Sequence, residues 1–281
     1  MTASPKLHEF APSDVSHPGE SLQEMLSDRG MTQIELASRL GLDKKTINQI
    51  IQGKASITHD TALGLERVFG VPAMFWLNLE NQYQIAEARN VQVAEAELHK
   101  SWMSKFPYPD MVKRGWVPKA APKAYGKKVL NLLEFFGVSN PEGWKEIYEE
   151  KDLGLAYRRS PKVSVKTHAI SAWLREGERL ASKLSPPPFD EEKFRKALRE
   201  IRKLTLVPSF EDFYSEMQTL CADAGVIFLV VKELPGVGIN GVTRWFGGRP
   251  MIQQGFRMKW NDQFWFTFST KPDTCFRTAG N

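Results

Sequence analysis

The chain has 281 residues, 42% hydrophobic and 25% charged, which is room for about two domains and a real core, and excludes a peptide or a disulfide-stapled miniprotein. Lys and Arg number 38 against 33 Asp and Glu, a net of +5, but residues 1–90 carry −3 and residues 91–281 carry +8. No apolar run approaches the ~20 residues of a membrane span, Met1 to Ser13 hold no apolar signal core, and Cys221 and Cys275 make neither a disulfide framework nor a zinc knuckle, so a cytoplasmic protein without membrane contact is expected.

Residues 1–16 read as a disordered lead. From Pro18 to Arg89 the pattern is densely helical, with glycine breaks. Leu22, Met25 and Leu26 share one helix face, and that helix stops at Gly30. Thr32 with Glu35 three residues on predicts a capping box for a second helix that buries Leu36, Ala37 and Leu40 and ends at Gly41. Asp43 caps a third, with Ile47, Ile50 and Ile51 inward, Lys44, Lys45 and Asn48 outward, and Gly53 at its end. Two short helices, a tight turn and a second helix with long polar side chains near its start follow the logic of a helix-turn-helix. Lys44 and Lys45 can neutralise phosphates or reach guanine acceptors, Asn48 can pair with adenine, and Gln33 can set register on a phosphate. Plain surface solvation is the alternative for each residue taken singly.

The run from Thr32-Gln33-Ile34-Glu35-Leu36-Ala37 to Thr46-Ile47-Asn48-Gln49-Ile50-Ile51-Gln52-Gly53 resembles the XRE (Cro/CI-like) helix-turn-helix family. His17-Pro18-Gly19-Glu20, Ile57-Thr58, Ala62-Leu63 and Phe75-Trp76-Leu77-Asn78-Leu79 with Gln82-Tyr83 resemble its HigA antitoxin branch. The resemblance implies a five-helix domain that binds palindromic, double-stranded operator DNA as a homodimer, with a cognate toxin protein as a further partner. The DNA-contacting candidates are Thr32, Gln33, Asp43, Lys44, Lys45, Thr46, Asn48, Gln49 and Lys54. Phe75 and Trp76 read either as core or as dimer contact.

Residues 90–165 mix Pro, Lys and aromatics around a helix at Lys127–Phe136. Further helices are expected at His168–Leu184, at Asp190–Leu204 after the Pro186-Pro187-Pro188 break, and at Glu211–Ala224 before Gly225. Lys196 and Arg199 read as a solvated helix face. Short strands follow at Val226–Val231, Gly241–Phe246, Arg249–Gln253 and Phe256–Trp260.

Leu220-Cys221-Ala222-Asp223-Ala224-Gly225-Val226, Gly241-Val242-Thr243-Arg244-Trp245-Phe246 and Asp262-Gln263-Phe264-Trp265-Phe266-Thr267-Phe268 resemble the ImmA/IrrE metallopeptidase family. That family continues with His-Glu-x-x-His, which holds Zn²⁺. Here Ser269-Thr270-Lys271-Pro272-Asp273 follow, and His8, His17, His59, His99 and His168 all lie upstream. Permitted codons for Ser269 onward, read from the third base of the serine codon, spell His-Glu-Ala-Gly-His. This suggests a single-base frameshift after Phe268. Asp262 and Glu233, as lone carboxylates, read as structural. Without its metal helix, the sheet is expected to expose an apolar face or edge, leaving Trp260, Phe264, Trp265, Phe266 and Phe268 uncovered and the C-terminal half less stable than the head.

The expected architecture is mainly α with a small C-terminal α+β part: a helix-turn-helix domain over 17–90, a helical connecting region over 91–207, and an incomplete zincin-like sheet domain over 208–281. The expected function is sequence-specific transcriptional regulation of the antitoxin-like, autorepressing kind, with no enzymatic activity, no metal and no cofactor. The alternatives are an inactive remnant of a zinc metallopeptidase and a protein-binding sensor.

Overall fold

A computed structural model describes residues 15–150, 167–256 and 261–277. The lead expected over residues 1–16 lies outside them save for Val15 and Ser16. Among these residues the fold is mostly helical, with one three-stranded sheet near the C-terminus. It divides into two units, Met1–Ala94 and Glu95–Asn281. No helix among the described residues is long and apolar enough to cross a membrane.

The first unit holds α1 (Pro18–Asp28), α2 (Gln33–Leu40), α3 (Lys44–Ile51), α4 (His59–Phe69) and α5 (Ala73–Ala96). Local chemistry sets these boundaries. Thr32 Oγ1 accepts from the Glu35 amide at 3.2 Å, and Thr58 Oγ1 accepts from the Thr61 amide at 3.2 Å. The Glu35 carboxylate pairs with Arg39 at 2.7 Å rather than closing the capping box. Leu22, Leu26, Leu36, Ile47, Ile50, Leu65, Phe69 and Trp76 form one buried cluster. Trp76 is fully buried, while Phe75 is 42% exposed and meets the Trp76 ring edge-on at 5.4 Å. The two aromatics therefore divide between core and surface.

The second unit runs through α6 (Lys100–Met103), α7 (Tyr108–Lys113), α8 (Tyr125–Phe136), α9 (Pro141–Lys145), a π-helical turn at Glu146–Glu150, α10 (Thr167–Ala181), α11 (Glu191–Lys203) and α12 (Phe210–Asp223). The strands β1 (Ile227–Val230), β2 (Gly241–Phe246) and β3 (Arg249–Gln254) follow, then α13 (Asn261–Ser269) and α14 (Pro272–Arg277). β3 is central, parallel to β1 and antiparallel to β2. Gly247 and Gly248 join β2 to β3, both at positive φ (57° and 75°), as a two-residue hairpin turn of matching twist requires. Of the fourth strand expected at Phe256–Trp260, Phe256 is outside any strand and 257–260 lie outside the described residues.

Both faces of the sheet are covered, which corrects the expectation of an uncovered face, while β1 stands at an edge of the described strands. Ile227, Leu229, Val242 and Met251 pack with Trp173 and Leu174 of α10 and with Phe135 and Phe136 of α8. Phe228 and Ile252 pack with Phe194, Met217, Cys221, Phe264, Phe268 and Cys275. Pro272 does end α13, but it also opens α14, because a first-turn proline loses no helical hydrogen bond. α14 then supplies the buried Cys275 to the cover. Phe264 and Phe268 are buried and Trp265 is half-buried, whereas Phe266 is exposed; Trp260 lies outside the described residues. Two adjacent glutamines on β3 bind the layers together. Gln253 Nε2 donates to the Trp173 carbonyl at 2.7 Å on one side, and Gln254 Nε2 to the Phe264 carbonyl at 2.9 Å on the other. Cys221 and Cys275 are free and buried, and burial pushes both thiols up, Cys275 to about 12.

His168 sits in an aromatic nest, stacked on Trp144 at 4.5 Å and edge-on to Phe106 at 4.7 Å. Burial lowers its pKa, helped by Lys105 and opposed by Glu149. A histidine held neutral in the fold contributes stability above the ordinary value of about 6.5, lost as pH falls through the lower folded value. Acid titration followed by tryptophan fluorescence is expected to show the nest loosening below pH ~6.5 in the wild type, and less so in His168→Phe. Superimposable titrations of the two proteins would contradict this.

Candidate nucleic-acid interface

α3 is held against its neighbours from two sides. Ile47 and Ile50 are buried beside Leu36 and Ala37 of α2. On the other side Gly19 of α1 lies so close that a β-carbon there would run into the carbonyl oxygens of Ile50 and Ile51. His17 caps α1, accepting from the Gly19 amide at 2.9 Å through Nδ1, and its ring meets Tyr83 of α5 edge-on at 4.6 Å. The apolar face of α3 is thereby fixed inward and its polar face outward.

On the outer side a chain of side-chain amides crosses three helices. Asn48 Nδ2 donates to Gln33 Oε1 at 3.4 Å, and Gln33 Nε2 donates to Gln23 Oε1 at 3.4 Å. The structure thus brings Gln33 and Asn48 together, fifteen residues apart in sequence. Lys44 and Lys45 are exposed on the first turn of α3, and Thr46 and Gln49 are half-buried further along it. Lys54 stands exposed beyond Gly53, its Nζ donating to Gln52 Oε1 at 3.0 Å. Thr32 is exposed and spends its hydroxyl oxygen on the α2 cap.

Asp43 departs from expectation. It occupies the cap position of α3, but its side chain makes no capping bond; its carbonyl accepts from Thr46 instead, at 2.9 Å. Its carboxylate therefore stays exposed beside Lys44 and Lys45.

Three positioning residues carry no clear mark in the sequence. Glu80 is buried on α5; its carboxylate accepts from the Ile57 amide at 3.0 Å and from Gln84 at 2.9 Å, fixing the segment that leaves α3. Arg29 donates to the Phe69 carbonyl at 2.7 Å with its guanidinium over the Phe69 ring, joining the ends of α1 and α4. Glu66 accepts from the Ala73 amide at the start of α5. An acidic residue at a core-facing position is the one signal that could have found Glu80.

Among the described residues no three His, Cys, Asp or Glu side chains gather as a metal site, and Ser269–Asp273 contain no imidazole.

A family model described as Helix-turn-helix matches residues 22–76. Virulence-associated protein I of Dichelobacter nodosus is 41% identical over 73 residues, 26% of this chain and 68% of its own length. The Escherichia coli HTH-type transcriptional regulator YddM is 34% identical over 71 residues, 25% of this chain and 76% of its own. Antitoxin HigA-1 of Vibrio cholerae is 31% identical over 83 residues, 29% of this chain and 78% of its own. The family model falls within the first unit. Through its first unit the chain belongs to the XRE-type helix-turn-helix family, with a HigA antitoxin and a transcriptional regulator among its relatives.

Proposed function

We propose that this chain is a sequence-specific transcriptional regulator that binds double-stranded operator DNA as a homodimer and represses its own operon in the manner of an antitoxin. The observation that carries the reading is the Gln33–Asn48 amide contact on the open side of α2 and α3, next to the exposed Lys44 and Lys45. In this reading α3 enters the major groove. Asn48 pairs with an adenine edge, the lysines meet guanine or phosphate, and Gln33 both orients Asn48 and sets register. Thr32, Thr46, Gln49 and Lys54 flank the contact, and Asp43 accepts from a cytosine amine. Leu63, Met74 and Phe75, exposed on α4 and α5, support pairing of two heads. A cognate toxin is the further partner that an antitoxin role requires.

The head's net of −3 gives it little grip on random DNA, so local cations matter. Lys44→Ala or Lys45→Ala is expected to weaken binding to the gene's own upstream region in a shift assay and to lower the salt slope by about 0.9 for each phosphate left without its lysine. Unchanged binding by both variants across a salt series would remove α3 from the interface.

A further inference from the structure

The cations of the second unit are not evenly spread. Lys100 to Lys128 hold eight Lys and Arg against one carboxylate, Asp110, a net of +7 in a chain whose total is +5. Arg114 already pairs with Asp110 at 3.5 Å.

The fold gathers five of these lysines around one concavity. Lys119 and Lys127 line a cavity of about 370 Å³ formed by the segment from Pro118 to Ala124 and the start of α8. Lys128 Nζ donates to the Pro122 carbonyl at 2.6 Å, tying it to the same segment. The ammonium groups of Lys100 and Lys128 lie 3.9 and 5.2 Å from the centre of the Tyr125 ring. Lys123 is exposed within the segment. No carboxylate among the described residues pairs with Lys119, Lys123 or Lys127.

A merely solvated charged surface looks different, and this unit contains one. On α11 three of the six cations are matched locally, Lys193 by the cap residue Asp190 at 3.8 Å, Arg195 by Glu191 at 2.7 Å and Lys203 by Glu200 at 2.6 Å. The rim around Pro118–Ala124 has no such matching. Its like charges repel, and a polyanion turns that repulsion into attraction while releasing condensed counterions.

We propose that Lys100, Lys119, Lys123, Lys127 and Lys128 form a second DNA contact that grips duplex phosphates without reading bases. Lysine is a point charge suited to a phosphate chain and is depleted at protein interfaces, which favour aromatic and arginine anchors. The cavity lining offers alanine, proline, leucine and asparagine beside its lysines, and the aromatic next to it, Tyr125, already has Lys100 and Lys128 at its ring. The choice of DNA over other polyanions rests on the operator-binding reading of the head, whose negative balance leaves the phosphate grip to be found elsewhere in the chain.

The test uses the full chain and a mixed-sequence duplex of about three helical turns, followed by fluorescence anisotropy over a salt series. The triple variant Lys119→Gln, Lys123→Gln, Lys127→Gln is expected to bind this duplex about tenfold or more weaker at low salt, with the slope of log K against log salt reduced by about 0.9 for each lysine that meets a phosphate. Affinity for the upstream region falls by the same factor, so the ratio of the two affinities holds. Triple replacement by Arg retains binding, and Lys193→Gln with Lys203→Gln on α11 matches the wild type. Circular dichroism establishes that the triple glutamine variant is folded. A folded triple variant with unchanged affinity and slope overturns the proposal. So does a wild-type chain that binds polyglutamate and not the duplex, which would assign the rim to acidic proteins. If the wild type shows no preference for the upstream region yet binds the mixed duplex through these lysines, the operator reading of the head fails and this contact stands.

Discussion

Glu178→Ala is expected to destabilise the second unit by about 3–5 kcal/mol, the range for breaking a buried ion pair from one side. Glu178 receives Arg244 at 2.6 Å, Arg175 at 3.0 Å and the Tyr148 hydroxyl at 3.4 Å. Both members of the central pair are largely shielded, with side chains 9% and 14% exposed. Without the carboxylate, Arg244 keeps, among the described residues, its bond to the Leu174 carbonyl at 2.7 Å. Burial already pulls its pKa down, and Glu178 opposes that pull. Removing Glu178 strands a cation with its solvation gone and its counter-charge missing. The pair ties α10 to β2, so the loss reaches the sheet. Urea unfolding of the full chain, read by tryptophan fluorescence, should move the transition of the second unit and leave that of the head in place. Replacing both partners, Glu178→Leu with Arg244→Met, should restore most of the loss, since the cost lies in the orphaned charge. A single-variant loss below about 1 kcal/mol would place the pair with weak surface salt bridges.

Trp76→Ala should remove a comparable amount, about 3–5 kcal/mol, from the head. The indole is fully buried and packs near Phe69 at 6.3 Å and Phe75 at 5.4 Å. It joins α5 to the cluster that orients α3, so the cavity loosens the frame behind the proposed reading surface. Thermal unfolding followed by circular dichroism measures the loss, and upstream-region binding should fall with the folded fraction. Trp76→Phe is the informative control. The indole N–H has no partner among the described residues, so phenylalanine gives up volume and no hydrogen bond. It should cost well under half as much and keep binding. Phe75→Ala, at a 42% exposed position, should cost less still. Equal losses at positions 75 and 76 would contradict this division between core and surface.

The head is legible in the sequence because its signals are local. Thr32 caps α2 from three residues away, and the apolar spacing of Leu22, Met25 and Leu26 or of Ile47, Ile50 and Ile51 specifies which side is buried. Asp43 is the instructive exception: it holds the cap position, and its backbone carbonyl does the bonding. The strands are also legible, from their β-branched runs and the Gly247–Gly248 turn. Their cover is not. Pro272 taken only as a breaker hides its second role as the first residue of a helix, and so hides the burial of Cys275. Long-range polar pairs leave no pattern to read. Arg244 meets Glu178 across 66 positions, and Arg114 donates to the Glu233 carbonyl across 119. The candidate DNA-contacting residues lie between these cases. The outward placement of Lys44, Lys45 and Asn48 follows from helix period, while the bond from Asn48 to Gln33 depends on how two helices cross.

The strand order β1-β3-β2 also bears on how the chain is made. β2 and β3 are joined by two residues and can close within microseconds of leaving the ribosome, on the order of 1–10 μs for a hairpin. β1 emerges before either, yet among the described strands it pairs with β3 alone, and in parallel. Its Ile227-Phe228-Leu229-Val230 edge must therefore wait, at roughly 5–20 residues per second of synthesis, until Gln254 is out. During that interval the most apolar stretch of the unit has no strand to join, and a nascent chain is then most in need of a chaperone.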